Sequence, residues 1–175
     1  MKLKIQSRMP WIFLIPVAGF LLWQLMSCSN NPGTAYGQLI RYTGCKSFLV
    51  NQEGVGAFTH SPGEECLEYF YDGRGRLTMK HINAAFNCCP GNISADIVIL
   101  PGEIRIKEKE ASALCDCNCL FDLDYELINL RPGVYRISVK GPYQPEDEPP
   151  LEFVVALKDP VSGTFCVPRS KYPWH

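Results

Sequence analysis

Apolar and polar residues alternate at every second position along much of the chain, the period of a strand with one face buried and the other in water. The alternation is cleanest from Glu103 to Lys109, where Ile104 and Ile106 fall on one side and Arg105, Lys107 and Lys109 on the other. Between Leu120 and Leu130 it returns with the opposite charge: Phe121, Leu123, Tyr125 and Leu127 alternate with Asp122, Asp124 and Glu126. This acidic row can face the basic row of a neighbouring strand, each exposed pair contributing about 0.2–1 kcal/mol and helping to set register. From Leu77 to Asn83, Leu77, Met79 and His81 share one face and Thr78 and Lys80 the other, so His81 is expected to be at least half buried.

Turn residues punctuate these runs. Cys66 to Tyr71 and Leu77 to Asn83 are separated by Asp72, Gly73, Arg74, Gly75 and Arg76, and Ile93 to Ile99 and Glu103 to Lys109 flank Pro101 and Gly102, which predicts two hairpins. Gln38 to Tyr42 and Ser47 to Val50 read as short strands, and Leu151 to Leu157 as the last one. Asn51 to Glu65 reads as a loop with His60 in solvent, Gly141 to Pro150 as an exposed acidic loop, and Val161 to His175 as a tail pinned by Cys166. No helical period of useful length appears beyond the N-terminal apolar run, and no internal repeat. Six to eight strands at short spacing predict an all-β chain, a single antiparallel β-sandwich.

The N-terminus is of a different kind. Lys2, Lys4 and Arg8 precede an uncharged, mostly apolar run from Trp11 to Met26 that is short for a membrane span and stops at Ser27 and Cys28. Leu25, Met26, Ser27 and Cys28 resemble the lipobox of bacterial lipoproteins. That resemblance implies cleavage before Cys28, lipidation of Cys28, and a membrane partner held through the acyl chains, since two or more chains suffice for a stable anchor. Ser29, in place of an aspartate, implies the outer membrane, with the domain facing the periplasm or the surface. The expected organisation is residues 1–27 as signal peptide, 28–38 as lipidated cysteine and polar tether, and 39–175 as the folded domain. Without residues 1–27 the chain keeps 14 Lys plus Arg against 18 Asp plus Glu, a net charge of −4, and no basic patch that would point to nucleic acid.

An exported chain places its cysteines in an oxidising compartment. Nine are present, so with Cys28 acylated eight remain: Cys45, Cys66, Cys88, Cys89, Cys115, Cys117, Cys119 and Cys166. An even number predicts four disulfides, with roughly a hundred possible connectivities. Adjacent residues of a strand point to opposite faces, so Cys88 and Cys89 are expected to bond to different partners. Two of Cys115, Cys117 and Cys119 then bridge back to them, clasping the hairpin from both ends, and the third joins Cys45, Cys66 and Cys166 in the other two bridges. The alternative is a metal or thiol-redox site in which these clasp cysteines, with His81, supply the soft ligands that zinc or copper(I) prefers. Spacings of one residue or none between the cysteines suit zinc poorly, and no bound metal or other cofactor is expected.

Leu130, Arg131, Pro132, Gly133, Val134 and Tyr135 resemble the Leu-Pro-Gly-Tyr turn of immunoglobulin-like, fibronectin type III and transthyretin-like sandwiches. The resemblance implies a Greek-key sandwich with Tyr135 as the corner tyrosine bonded back to the turn. No serine elbow, paired-histidine zinc helix or phosphate loop occurs. Asp72, Asp122, Asp124 and Glu126 read as a solvated face rather than paired catalytic carboxylates. Tyr69, Phe70, Tyr71, Tyr143, Tyr172 and Trp174 are candidates for an aromatic surface toward a protein or glycan, though aromatics in strands more often pack. With its leader, cysteine knots and turn, the chain resembles small bacterial cell-envelope lipoproteins. It is expected to be a structural or binding module and not an enzyme.

Overall fold

The computed structural model describes residues 33–46 and 60–174. The expected leader, the lipid site at Cys28, the strand from Ser47 to Val50 and His175 lie outside the described residues. Nine strands follow in order: β1 Tyr36–Tyr42, β2 Glu64–Tyr71, β3 Leu77–Asn87, β4 Ile93–Leu100, β5 Glu103–Glu110, β6 Asn118–Ile128, β7 Gly133–Lys140, β8 Leu151–Leu157 and β9 Val161–Pro168. They form two sheets, ordered β1-β6-β3-β2-β9 (sheet A) and β4-β5-β7-β8 (sheet B). Among the described residues there is no helix.

Both predicted hairpins are present. β2 and β3 pair from Cys66 opposite Ile82 to Tyr71 opposite Leu77, and Asp72 closes the turn by accepting from the amides of Arg74 and Arg76 at 2.7 and 3.0 Å. Gly73 and Gly75 supply the positive φ angles, 75° and 98°, that this turn requires. β4 and β5 pair from Ile93 opposite Glu110 to Leu100 opposite Glu103. In β5, Ile104 and Ile106 are buried and Arg105, Lys107 and Lys109 exposed, as the alternation requires. β1 begins at Tyr36, two residues before the expected start.

Two strand expectations need correction. The sheets are not wholly antiparallel, because β5 and β7 run parallel, Glu103 opposite Arg136 through Lys107 opposite Lys140. The cause is the path of the chain: after β5 it crosses to sheet A as β6 and returns to sheet B, so two reversals restore the direction. β6 thereby acts as the long crossover that a parallel pair needs. The C-terminal stretch is also not merely a pinned tail. Val161–Pro168 is an edge strand, hydrogen-bonded to β2 along its length. Its pattern is hidden by Gly163, which occupies an inward position because the Tyr69 ring fills that space; a Cβ at residue 163 would come within 2.6 Å of the Tyr69 hydroxyl.

Apolar residues of both sheets contribute to one buried cluster, including Leu67, Tyr71, Leu77, Met79, Phe121, Leu123 and Leu127 from sheet A and Ile104, Ile106, Ile137, Val139, Leu151 and Leu157 from sheet B. Phe153 of β8 stacks between Tyr69 of β2 and Phe165 of β9, with ring centroids 5.3 and 5.2 Å apart. Tyr135 is buried and its hydroxyl donates to the Arg131 carbonyl at 2.8 Å, the corner bond expected from the Leu130 to Tyr135 turn. Asp122, Asp124 and Glu126 do face cations, although not those of β5, which lies in the other sheet. Arg41 meets Asp124, Lys46 and Lys80 meet Asp122, and Arg76 meets Glu126.

Candidate functional site

The eight described cysteines form four bridges: Cys88–Cys117, Cys89–Cys115, Cys45–Cys119 and Cys66–Cys166. The first two tie the end of β3 to the segment before β6 and clasp the β4–β5 hairpin between them. Asn87, the last residue of β3, organises the clasp: its Oδ1 accepts from the amides of Cys89 and Cys115 at 2.9 and 3.1 Å, and its Nδ2 donates to the Cys115 carbonyl at 2.6 Å. Cys45–Cys119 fastens the chain after β1 to β6, and Cys66–Cys166 joins directly opposed residues of β2 and β9.

His81 is not part of this clasp. It is fully buried, and both ring nitrogens are taken by carboxylates, Nδ1 by Glu108 at 2.7 Å and Nε2 by Glu65 at 2.9 Å. The Tyr125 hydroxyl donates to the same Glu108 oxygen at 2.6 Å. Arg169, just past β9, donates from Nε to the other Glu65 oxygen at 2.6 Å and from Nη1 to the Pro149 carbonyl at 2.7 Å, and it lies 5.6 Å from the Trp174 ring. Two cations, His81 and Arg169, thus face Glu65 and Glu108 in the interior and, at its margin, Glu148, whose Oε2 is 3.6 Å from Arg169 Nη1. Burial by itself would push the imidazole down, but the field of Glu108 and the hydrogen bonds to Glu108 and Glu65 outweigh it and hold His81 up at about 10. Burial likewise opposes ionisation of Glu65, and its contacts with His81 and Arg169 bring it below the usual carboxylate range. Tyr125 is pushed well up by burial and by the neighbouring Glu108 charge, so it stays a hydroxyl donor.

Three of these residues carried a signal in the sequence. Glu65 shares inward parity with Leu67 and Tyr71, His81 with Leu77 and Met79, and Glu108 with Ile104 and Ile106. Three ionisable residues at core positions of three strands can be buried only by pairing. Arg169 follows the hidden strand and gave no such signal.

His60 is corrected from solvent-exposed to part-buried, its side chain only 16% exposed. It lies on the outer face of sheet A, with Nε2 3.0 Å from Glu68 Oε1 and Nδ1 3.3 Å from Cys66 Sγ. Glu148, expected in an exposed acidic loop, instead turns toward the C-terminal segment, and its Oε1 accepts from the Ser170 amide at 2.9 Å and hydroxyl at 2.6 Å. Among the described residues two donor sets lie within 4.8 Å, namely Cys45, Cys88 and Cys119, and His60, Cys66 and Cys166. Each sulfur of both belongs to a bridge, so either set would hold a metal only as thiolates, with its bridges open.

The candidate aromatic surface divides. Tyr71 and Trp174 are buried, Tyr69 is stacked, and Tyr143 donates to Glu110 at 2.6 Å, whereas Phe70 and Tyr172 remain exposed. Across the outer face of sheet A, Arg41, Asp124, Lys80 and Glu68 stand opposite one another in register, alternating in sign. A shallow depression of about 580 Å³ there is bordered by Ile40 and Phe70. The four carboxylates considered in the sequence do not converge: Asp72 caps a turn, and Asp122, Asp124 and Glu126 are ion-paired along one strand. No known family, curated protein or solved structure matches the chain.

Proposed function

We propose that this chain is a lipid-anchored, disulfide-clasped β-sandwich of the immunoglobulin-like, Greek-key type that serves as a structural or binding module of a bacterial cell envelope, and is not an enzyme. The observation that carries the reading is the closure of the cysteine set. Eight of nine cysteines pair among themselves, so Cys28 has no cysteine of this chain left to bridge to. Bridges of this density fit an oxidising compartment. A cysteine left over at the end of a basic and then apolar N-terminal run fits acylation. The corner bond of Tyr135 and the shared core of the two sheets support the sandwich assignment. The charge-alternating outer face of sheet A, with Ile40 and Phe70 at its borders, is the surface best suited to a protein or glycan partner.

The anchor is tested by expressing the full chain in a Gram-negative host with an alkyne fatty acid. The wild type takes up label and fractionates with the outer membrane, and Cys28→Ala takes up none. Equal labelling of the two, or an unlabelled wild type, contradicts the reading.

One observation favours the metal or thiol-redox alternative. Cys45 and Cys119 of one bridge and Cys88 of another bring three sulfurs within 4.8 Å. Free thiols or co-purifying zinc or copper in the native protein would select it.

A further inference from the structure

The two sulfurs of the Cys66–Cys166 bridge differ in their surroundings. Alternation along β2 puts Cys66 and Glu68 on the same outer side of sheet A, and His60 spans them, one ring nitrogen on the carboxylate and the other facing the bridge. Nδ1 is 3.3 Å from Cys66 Sγ and 3.9 Å from Cys166 Sγ. A carboxylate on one nitrogen fixes the orientation of the ring and the role of the other. Cys66 is wholly buried, whereas Cys166, on the edge strand β9, is partly exposed. A thiolate arriving from solvent therefore reaches Cys166, and the sulfur that must leave is the one against the imidazole.

We propose that the Cys66–Cys166 bridge is a site of thiol–disulfide exchange with dithiols, in which His60 protonates the departing Cys66 sulfur and Glu68 is the positioning residue that holds His60. In the first step a thiolate of the dithiol attacks Cys166 Sγ. A mixed disulfide forms, the Cys66–Cys166 bond breaks, and the proton that the attacking thiol gives up passes by way of His60 to the departing Cys66 sulfur. The second thiol of the reductant then attacks its own mixed disulfide, and its proton goes to the Cys166 sulfur that it releases. The dithiol is oxidised to a disulfide, and the protein gains two electrons and two protons. Leaving-group stabilisation is one of the factors that set the rate of such exchange. Among the described residues no other bridge has an imidazole beside it. The exchange is stoichiometric and does not depend on acylation of Cys28.

Accessibility alone makes the opposite prediction, since Cys66 is the one cysteine of the eight that is fully buried. The test treats the oxidised mature protein with limiting dithiothreitol, traps free thiols with iodoacetamide at successive times, and identifies the opened bridge by peptide mass. The expected result is that Cys66–Cys166 opens before the three more exposed bridges. His60→Ala should slow that opening by about tenfold or more while leaving the other three rates unchanged, with recovery on adding imidazole. Glu68→Gln should slow the same bridge by a smaller factor. Both side chains lie on the outer face, so an unchanged far-ultraviolet spectrum verifies the fold of each variant. Opening of Cys66–Cys166 after the others, or at the same rate in His60→Ala, overturns the proposal.

Discussion

His81 of sheet A and Glu108 of sheet B meet between the two sheets, Nδ1 to Oε1 at 2.7 Å, beside the inward-facing Leu77 and Met79 of β3 and Ile104 and Ile106 of β5. The contact joins the two sheets by a charged hydrogen bond. Removing the imidazole would leave Glu65 and Glu108 buried with Arg169 as the remaining cation. Because an uncompensated buried charge is costly, His81→Ala is expected to destabilise the fold by about 3–5 kcal/mol. Denaturant unfolding of the oxidised protein measures it, and a loss below about 1 kcal/mol would show that the cluster carries little of the stability.

The same cluster predicts how stability depends on pH. His81 is held up at about 10, so its contribution is complete below the ordinary histidine value of about 6.5 and is lost as pH rises from there through about 10. Glu65 is held down, so its contribution is complete above the ordinary carboxylate value and is lost as pH falls through its lowered value. Stability should therefore be greatest between roughly pH 4.5 and 6.5 and decline steadily toward pH 10. Thermal melts across that range check it, and His81→Ala should flatten the alkaline decline.

The clasp is expected to act mainly by constraining the unfolded chain. Cys88–Cys117 and Cys89–Cys115 close loops of 29 and 26 residues, for which the chain-entropy estimate is about 3.5 kcal/mol for either bridge alone. Because the two loops are nested, either bridge alone still closes nearly the same loop, so replacing one pair by serine should cost well under that amount. Replacing both pairs should cost at least about 3.5 kcal/mol, with the strand content unchanged. Circular dichroism and denaturant titration of the two double variants and the quadruple variant report both quantities.

Tyr135 gives a smaller and more local prediction. Its hydroxyl donates to the Arg131 carbonyl across the turn at 2.8 Å, and the ring is buried. Tyr135→Phe keeps the packing and removes the bond, which should cost about 1 kcal/mol. A loss of several kcal/mol would mean that the ring, not the corner bond, had been disturbed.

Most of the fold was legible because the strand period is legible. The alternation in β3, β5 and β6 located strands and assigned faces, and Gly73 and Gly75 marked a turn that only glycines enter easily. What escaped detection did so for definite reasons. β9 has a glycine where the pattern needed an apolar residue, because the Tyr69 ring already occupies the space. The parallel β5–β7 pair depends on which sheet β6 joins, a long-range fact that no local pattern contains. In β3 the pattern breaks after His81, where Asn83 adopts a positive φ of 63° and shifts the register with β6. The buried ion cluster was only partly visible: parity placed His81 inside, whereas Glu65 fell at the end of a loop-like stretch that the structure makes the start of β2, Glu108 was not singled out, and the convergence of all three with Arg169 required the strand order. The separation of His81 from the cysteine clasp was not visible at all, since both lie on or beside β3 and only the packing of sheet B draws the imidazole to Glu108.

The measurement that bears most directly on the central claim is a thiol count of the oxidised mature protein by intact mass, alkylated with and without reduction, together with non-reducing peptide mapping and elemental analysis for zinc and copper. The expected result is no reactive thiol before reduction, eight after it, crosslinked peptides corresponding to Cys45–Cys119, Cys66–Cys166, Cys88–Cys117 and Cys89–Cys115, and no stoichiometric metal. Two or more free thiols, a different set of pairs, or bound zinc or copper would contradict it and make the clasp itself the functional centre.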